Sequence, residues 1–128
     1  MRVFKTKLFA RFARRERISD ASLREAVRRA ERGLIDADLG GGVLKQRVAR
    51  PGEGRSGGYR VLIAYRAKTR SVFLFGFAKS ERENIDDDEL ATLREIAKGW
   101  LEANGGALAR AVAGGLIHEV EYDEEEEA

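Results

Sequence analysis

The chain contains no cysteine and only one proline, one histidine, one tryptophan and one methionine among its 128 residues. Without cysteine there are no disulfides, no thiolate metal ligands and no thiol nucleophile, which suits a reducing compartment. The lone histidine, His118, lies among acids near the C-terminus and reads as a strand residue rather than a catalyst or metal ligand. No serine sits in a nucleophile-elbow sequence, and the glycines of Gly52 to Gly58 are not followed by the G-K-[ST] of a phosphate loop. Long hydrophobic runs are missing too. The N-terminus MRVFKTKLFARFARRER breaks every apolar stretch with cations, so it is not a secretory leader, and nothing approaches membrane-spanning length. A cytoplasmic protein with no membrane partner and no cofactor is expected.

Charge is what the chain has. The net charge of +2 conceals a split: residues 1–82 carry 21 Lys+Arg against 8 Asp+Glu, and residues 83–128 carry 3 against 14. The centre holds three runs of alternating apolar and polar residues, Val43 to Ala49, Tyr59 to Ala67 and Ser71 to Ala78, the period of half-covered strands. The loop Pro51 to Gly58 and the turn Lys68-Thr69-Arg70 join them into an antiparallel meander. Lys45, Arg47, Arg50, Arg55, Arg60, Arg66, Arg70 and Lys79 lie in or beside it, with Glu53 and Glu81 the only close acids. Like charges crowded on one sheet face destabilise it, so the pattern favours a polyanionic partner over a merely solvated surface.

Around the meander, Arg2 to Lys5 is a short strand. Leu8, Phe9, Phe12 and Ala13 mark one face of a first helix that begins at Thr6 or Lys7. A second helix runs from Asp20 to Arg32, capped by Ser19 or Asp20 and ended by Gly33, with Ser22 and Glu25 at capping-box spacing. Asp36 to Gly42 reads as a flexible approach to the meander. Asn84 or Asp86 caps a third helix whose apolar face is Leu90, Leu93, Ala97, Trp100 and Leu101, and the acids Asp86 to Glu89 are better explained by capping than by a metal. Leu108 to Val112 is one or two more helical turns, and Leu116 to Tyr122 a last strand. One domain over residues 1–122 and a disordered acidic tail over 123–128 are expected.

A catalytic inventory of Lys, Arg and Tyr suits one reaction in particular, the cleavage of RNA by its own 2′-hydroxyl. The substrate brings the nucleophile. The protein aligns it and stabilises charge on the phosphate, for which guanidinium groups are well shaped. A lysine shares in proton transfer where neighbouring cations lower its proton affinity. Lys45 and Arg47 fall on one strand face, and Arg60 and Lys79 sit where they can converge with them. Tyr59 and Tyr65 are the aromatics available to stack on bases, with core packing as the alternative for Tyr65.

The stretches Lys45-Gln46-Arg47-Val48-Ala49-Arg50, Gly54-Arg55-Ser56-Gly57-Gly58-Tyr59-Arg60-Val61 and Val72 through Lys79-Ser80-Glu81-Arg82-Glu83-Asn84-Ile85 resemble the RelE/HigB-like toxins of bacterial type II toxin–antitoxin systems, of the RelE/ParE superfamily. The likeness runs over nearly the whole chain. It implies a microbial-RNase-like α+β fold, an antiparallel β-sheet packed with two N-terminal helices and a C-terminal helix. It implies mRNA cleavage in the ribosomal A site without a metal, inhibiting translation, and a helix-turn-helix antitoxin as partner besides the ribosome and mRNA. By position, Lys45, Arg47, Arg60 and Lys79 are the implied catalytic set, with Arg50, Arg55, Tyr59 and Arg66 as implied RNA-binding residues. Some relatives place a tyrosine or histidine near the end of the last central strand; here Phe77-Ala78-Lys79-Ser80 leaves Lys79 for that role. The alternative on the same fold is a non-catalytic toxin of the ParE kind that poisons gyrase.

Overall fold

A computed structural model describes residues 1–50 and 54–121, the side chains of 54–56 excepted. The expected acidic tail and residues Pro51 to Glu53 lie outside the described residues, as does the side chain of Arg55. The element order is β1 (Arg2–Thr6), α1 (Lys7–Glu16), α2 (Asp20–Glu31), β2 (Ala37–Asp38), β3 (Val43–Arg50), β4 (Gly54–Arg66), β5 (Arg70–Ala78), α3 (Asp87–Glu102), α4 (Gly105–Ala113) and β6 (Ile117–Glu119). The strands form one sheet in the order β2-β3-β4-β5-β1-β6, with helices on both faces. The architecture is the expected α+β one with a single refinement: β1 joins β5 in parallel, so the sheet is mixed rather than wholly antiparallel. The helical hairpin lies between β1 and the meander in sequence, and the meander's third strand returns alongside β1 in the same direction. Among the described residues no helix is long and apolar enough to cross a membrane.

The hairpin α1–α2 covers one face. Thr6 Oγ1 accepts the Phe9 amide at 3.2 Å and starts α1, whose buried stripe is Phe9, Phe12 and Ala13. Phe9 meets Phe73 at 5.1 Å between ring centroids, and Phe12 meets Tyr59 edge-on at 5.7 Å. Phe12 presses so close to β5 that a Cβ on Gly76 would stand 2.4 Å from its ring, which is why that strand position is glycine. The second helix is capped by Ser19, whose hydroxyl accepts the Ser22 amide at 3.1 Å; Ser22 and Glu25 form no capping box. The other face is covered by α3 and α4 over Phe4, Val43, Leu62, Ala64, Val72 and Leu74. Asp86 caps α3 with Glu89 in a reciprocal capping box.

Two details correct the expected outline. Asp36 to Gly42 is not a loose approach. Ala37–Asp38 pairs with Leu44 and Lys45 as β2, and Gly40, Gly41 and Gly42 turn the chain with φ of 80°, 62° and 82°. The turn is bare because α3 lies on it: a Cβ at Gly42 would stand 2.8 Å from Leu101. Strand β5 also breaks strict alternation. Leu62 pairs with Phe75 and Ile63 with Phe73, so Leu74 is an extra residue, and both Leu74 and Phe75 face α3.

Candidate RNA-binding site

That bulge decides which way the end of β5 points. Before it, Phe73 packs with the hairpin core; after it, Phe75 and Phe77 fall on the α3 face. Lys79 follows in the same phase, its amide donating to the Gly58 carbonyl at 3.1 Å. Without the extra residue, Lys79 would be directed to the opposite face of the sheet.

On the α3 face the register sets the cations in successive rows. Lys45 pairs with Leu62 and that with Phe75; Arg47 pairs with Arg60 and that with Phe77; Gly58 and Lys79 come next. Arg47 donates its amide to Asp36 Oδ2 at 2.6 Å, and its carbonyl accepts from Arg29 Nη2, so both backbone groups point away from β4. The Arg47–Arg60 pair is therefore of the non-hydrogen-bonded kind, with Cα atoms about 4.5 Å apart and side chains at closest approach. Arg47 and Lys79 are exposed, Lys45 is half-buried, and Arg60 is 8 % exposed. Burial first, and then the neighbouring Arg47, lower the proton affinity of Arg60, while Asp36 opposes them. Guanidinium groups stay protonated through such shifts, so the pair is a fixed concentration of positive charge.

Asp36 lies beside this pair, 3.9 Å from Arg47 Nε and 3.6 Å from Arg29 Nη1. It is held there by Gln46. Fully buried in β3, Gln46 accepts the Asp36 amide at 2.8 Å and donates to the carbonyls of Ala26 and Leu34 at 3.0 and 3.1 Å. Neither Asp36 nor Gln46 stood out as functional in the sequence. For Gln46 a signal existed: an amide between Leu44 and Val48 on the buried phase of a strand needs partners in the core.

The remaining expected residues are not gathered with these four. Tyr59 is 2 % exposed, its hydroxyl donating to Glu16 Oε1 at 3.2 Å and its ring edge-on to Phe12. It is a core residue, and the expectation that it stacks on bases is corrected. Arg50 lies 5.7 Å over that same ring, on the hairpin side of the sheet. Arg66 is six residues along β4 from Arg60, about 20 Å away at 3.3 Å per residue, next to the turn where it pairs with Arg70. His118 pairs with Lys5 on β6, at the far edge of the sheet.

Several other arginines of the basic half have structural partners. Arg70 Nη1 donates to the carbonyls of Trp100 and Ala103, each at 2.7 Å, and so caps the C-terminus of α3. Arg24, buried, donates to the Val120 carbonyl, and Arg94 to that of Leu39. Arg82 makes a two-pronged pair with Glu89 at 3.1 and 2.6 Å. Lys45, Arg47, Arg60 and Lys79 lie in neighbouring rows on the α3 face, across three strands. A family model described as the RelE toxin of the RelE/RelB toxin–antitoxin system matches residues 1–120. No curated protein matches the chain.

Proposed function

The chain belongs to the RelE toxin family, and we propose that it acts as a ribosome-dependent, metal-independent endoribonuclease on mRNA, paired with a helix-turn-helix antitoxin. The observation that carries this reading is the cross-strand pairing of Arg47 with Arg60, flanked by Lys45 and Lys79 on the same face. Two guanidinium groups opposed across neighbouring strands concentrate positive charge at one place, which the oxygens of a bound phosphate complement.

In the proposed reaction Arg47 and Arg60 hold the non-bridging oxygens of the scissile phosphate. The 2′-hydroxyl oxygen attacks phosphorus in line with the departing 5′-oxygen. Negative charge that builds on the phosphate is met by groups already in place. The proton of the 2′-hydroxyl and the proton delivered to the 5′-oxygen pass through the two lysines that flank the pair, Lys45 and Lys79. The products are a 2′,3′-cyclic phosphate and a free 5′-hydroxyl.

Induced expression in bacteria followed by primer extension on a translated mRNA tests this. Codon-phased cuts that require translation are expected, with growth restored by Arg60→Ala or Lys79→Ala in proteins that remain folded. Growth arrest with intact mRNA would overturn the nuclease reading in favour of a ParE-like poison of gyrase.

A further inference from the structure

Strand β2 pairs with β3 only at Leu44 and Lys45, so the outer edge of β3 runs on toward Arg50 without a strand beside it. At Arg47 the outward backbone groups are met by side chains instead. Asp36 Oδ2 accepts the Arg47 amide at 2.6 Å, and Arg29 donates to the Arg47 carbonyl through Nη2. Arg29 Nη1 and Asp36 Oδ2 stand 3.6 Å apart as an ion pair, so the two side chains close a ring around the backbone of Arg47. They do there what a neighbouring strand does elsewhere in the sheet, at the residue of β3 that pairs with Arg60.

The ring is fixed from behind. Arg29 is buried on α2, and its Nε donates to Glu25 at 2.8 Å, one turn earlier on the helix. Gln46 accepts the Asp36 amide and is itself tied to the carbonyls of Ala26 and Leu34. Glu25 already offsets the buried charge of Arg29, so that charge does not by itself call for a second acid. The short bond of Asp36 goes to Arg47. Arg47 Nε lies 3.9 Å from Asp36 Oδ1, beyond hydrogen-bond length, so the carboxylate draws the guanidinium toward it without occupying its terminal nitrogens.

We propose that Asp36 is a positioning residue: through its bond to the Arg47 amide, backed by Arg29, it fixes the segment of β3 from which the Arg47 guanidinium meets the scissile phosphate. The role rests on the nuclease reading above and requires no contact with RNA. Arg47 is exposed and carries a long, rotamer-rich side chain. A loose strand edge beneath it would multiply its placements, and holding the edge still removes that ordering from the reaction step. Asp36 is not a proton carrier in this scheme, because its two oxygens are directed at Arg47 and Arg29.

The full chain, made by cell-free synthesis, is mixed in excess with ribosomes programmed with mRNA, and the cleavage rate is followed as the chain concentration is raised. Saturation separates the maximal rate from the half-saturating concentration. Asp36→Ala is expected to lower the maximal rate on the order of ten-fold with half-saturation little changed, whereas a loss of folded protein would move half-saturation alone. Asp36→Asn keeps an oxygen for the Arg47 amide and should recover most of the rate; a general base would be lost in the asparagine variant as fully as in the alanine one. In an Arg47→Ala background, Asp36→Ala should change the rate by less than about two-fold, since nothing is left to position. An unchanged maximal rate in Asp36→Ala, an asparagine variant as slow as the alanine one, or additive losses in the double variant would each overturn the proposal. The steady-state proton–nitrogen NOE at Arg47 Nε gives a readout without RNA: it should fall in Asp36→Ala and return in Asp36→Asn. That pattern in a chain that cuts no mRNA would sink the nuclease reading and leave the positioning of Arg47 standing. Cleavage by the parent with an NOE indifferent to Asp36 would overturn the positioning alone.

Discussion

The two ends of the central strands put arginines to opposite uses. At the turn end, Arg70 reaches the last carbonyls of α3 and Arg94 the carbonyl of Leu39, so each guanidinium is tied to backbone oxygens. At the other end, Arg47 and Arg60 face each other across two strands, with Asp36 as the nearby acid. One set holds a helix onto the sheet. The other concentrates charge in opposed rows on one sheet face, the arrangement a phosphate-binding surface needs.

The contrast is broken most strongly at Arg60. If the cationic end is the reactive one, Arg60→Ala should lower mRNA cleavage by roughly a hundred-fold or more, the range seen when one charge-stabilising donor is removed. Its cooperative urea unfolding should be retained, so that the loss is one of charge at the site and not of the fold. A variant that loses cleavage and stability together would show that Arg60 supports the fold instead.

Arg70→Ala should do the reverse. Removing a charged donor from two partly buried carbonyls costs about 2 kcal/mol, read as a lower urea midpoint, while the codon-phased cut pattern stays the same in the fraction that is folded. Gly42→Ala, at the same end, should cost roughly 1–2 kcal/mol, because φ of 82° is strained for alanine and the new Cβ meets Leu101. A change in the cut pattern from either variant would break the division between the two ends.

How far this division can be read from the residues alone differs by residue. Lys45 and Arg47 sit on one face by plain alternation, and the helices announce themselves by spacing and caps. Lys79 is different. Strict alternation through Ser71 to Ala78 puts Phe73 and Lys79 on the same face, and they are on opposite ones because Leu74 is an extra residue. A bulge of this kind depends on the register of the partner strand, which no local pattern reports. Tyr59 misled for a related reason: an aromatic next to a basic strand end has the same sequence signature whether it stacks on a ligand or on Phe12. Asp36 comes to Arg47 through β2 and the Gln46 bonds, which are tertiary contacts. The roles of Arg70 and Arg82 were hidden in the same way, since a charge count does not distinguish a capping arginine from a phosphate-binding one.

Arg82 gives the smallest and sharpest test, because it lies at the cationic end yet is neutralised. Its guanidinium lies 5.6 Å over Phe77 and pairs with Glu89 inside the capping box of α3. The Arg82 hydrogen bond first, and then the Asp86 backbone amide, hold the Glu89 carboxyl down at about 2 against an ordinary value of 4.5. A carboxyl depressed in the folded state contributes stability above its unfolded pKa and loses that contribution as pH falls through the folded value. The contribution is therefore complete at neutral pH and lost progressively between about pH 4.5 and pH 2. Following the Glu89 side-chain carboxyl carbon by NMR should give a midpoint near pH 2, and Arg82→Ala should move it up toward the ordinary range. A midpoint that stays low in Arg82→Ala would assign the depression to the helix cap alone and leave Arg82 free to serve the cationic face.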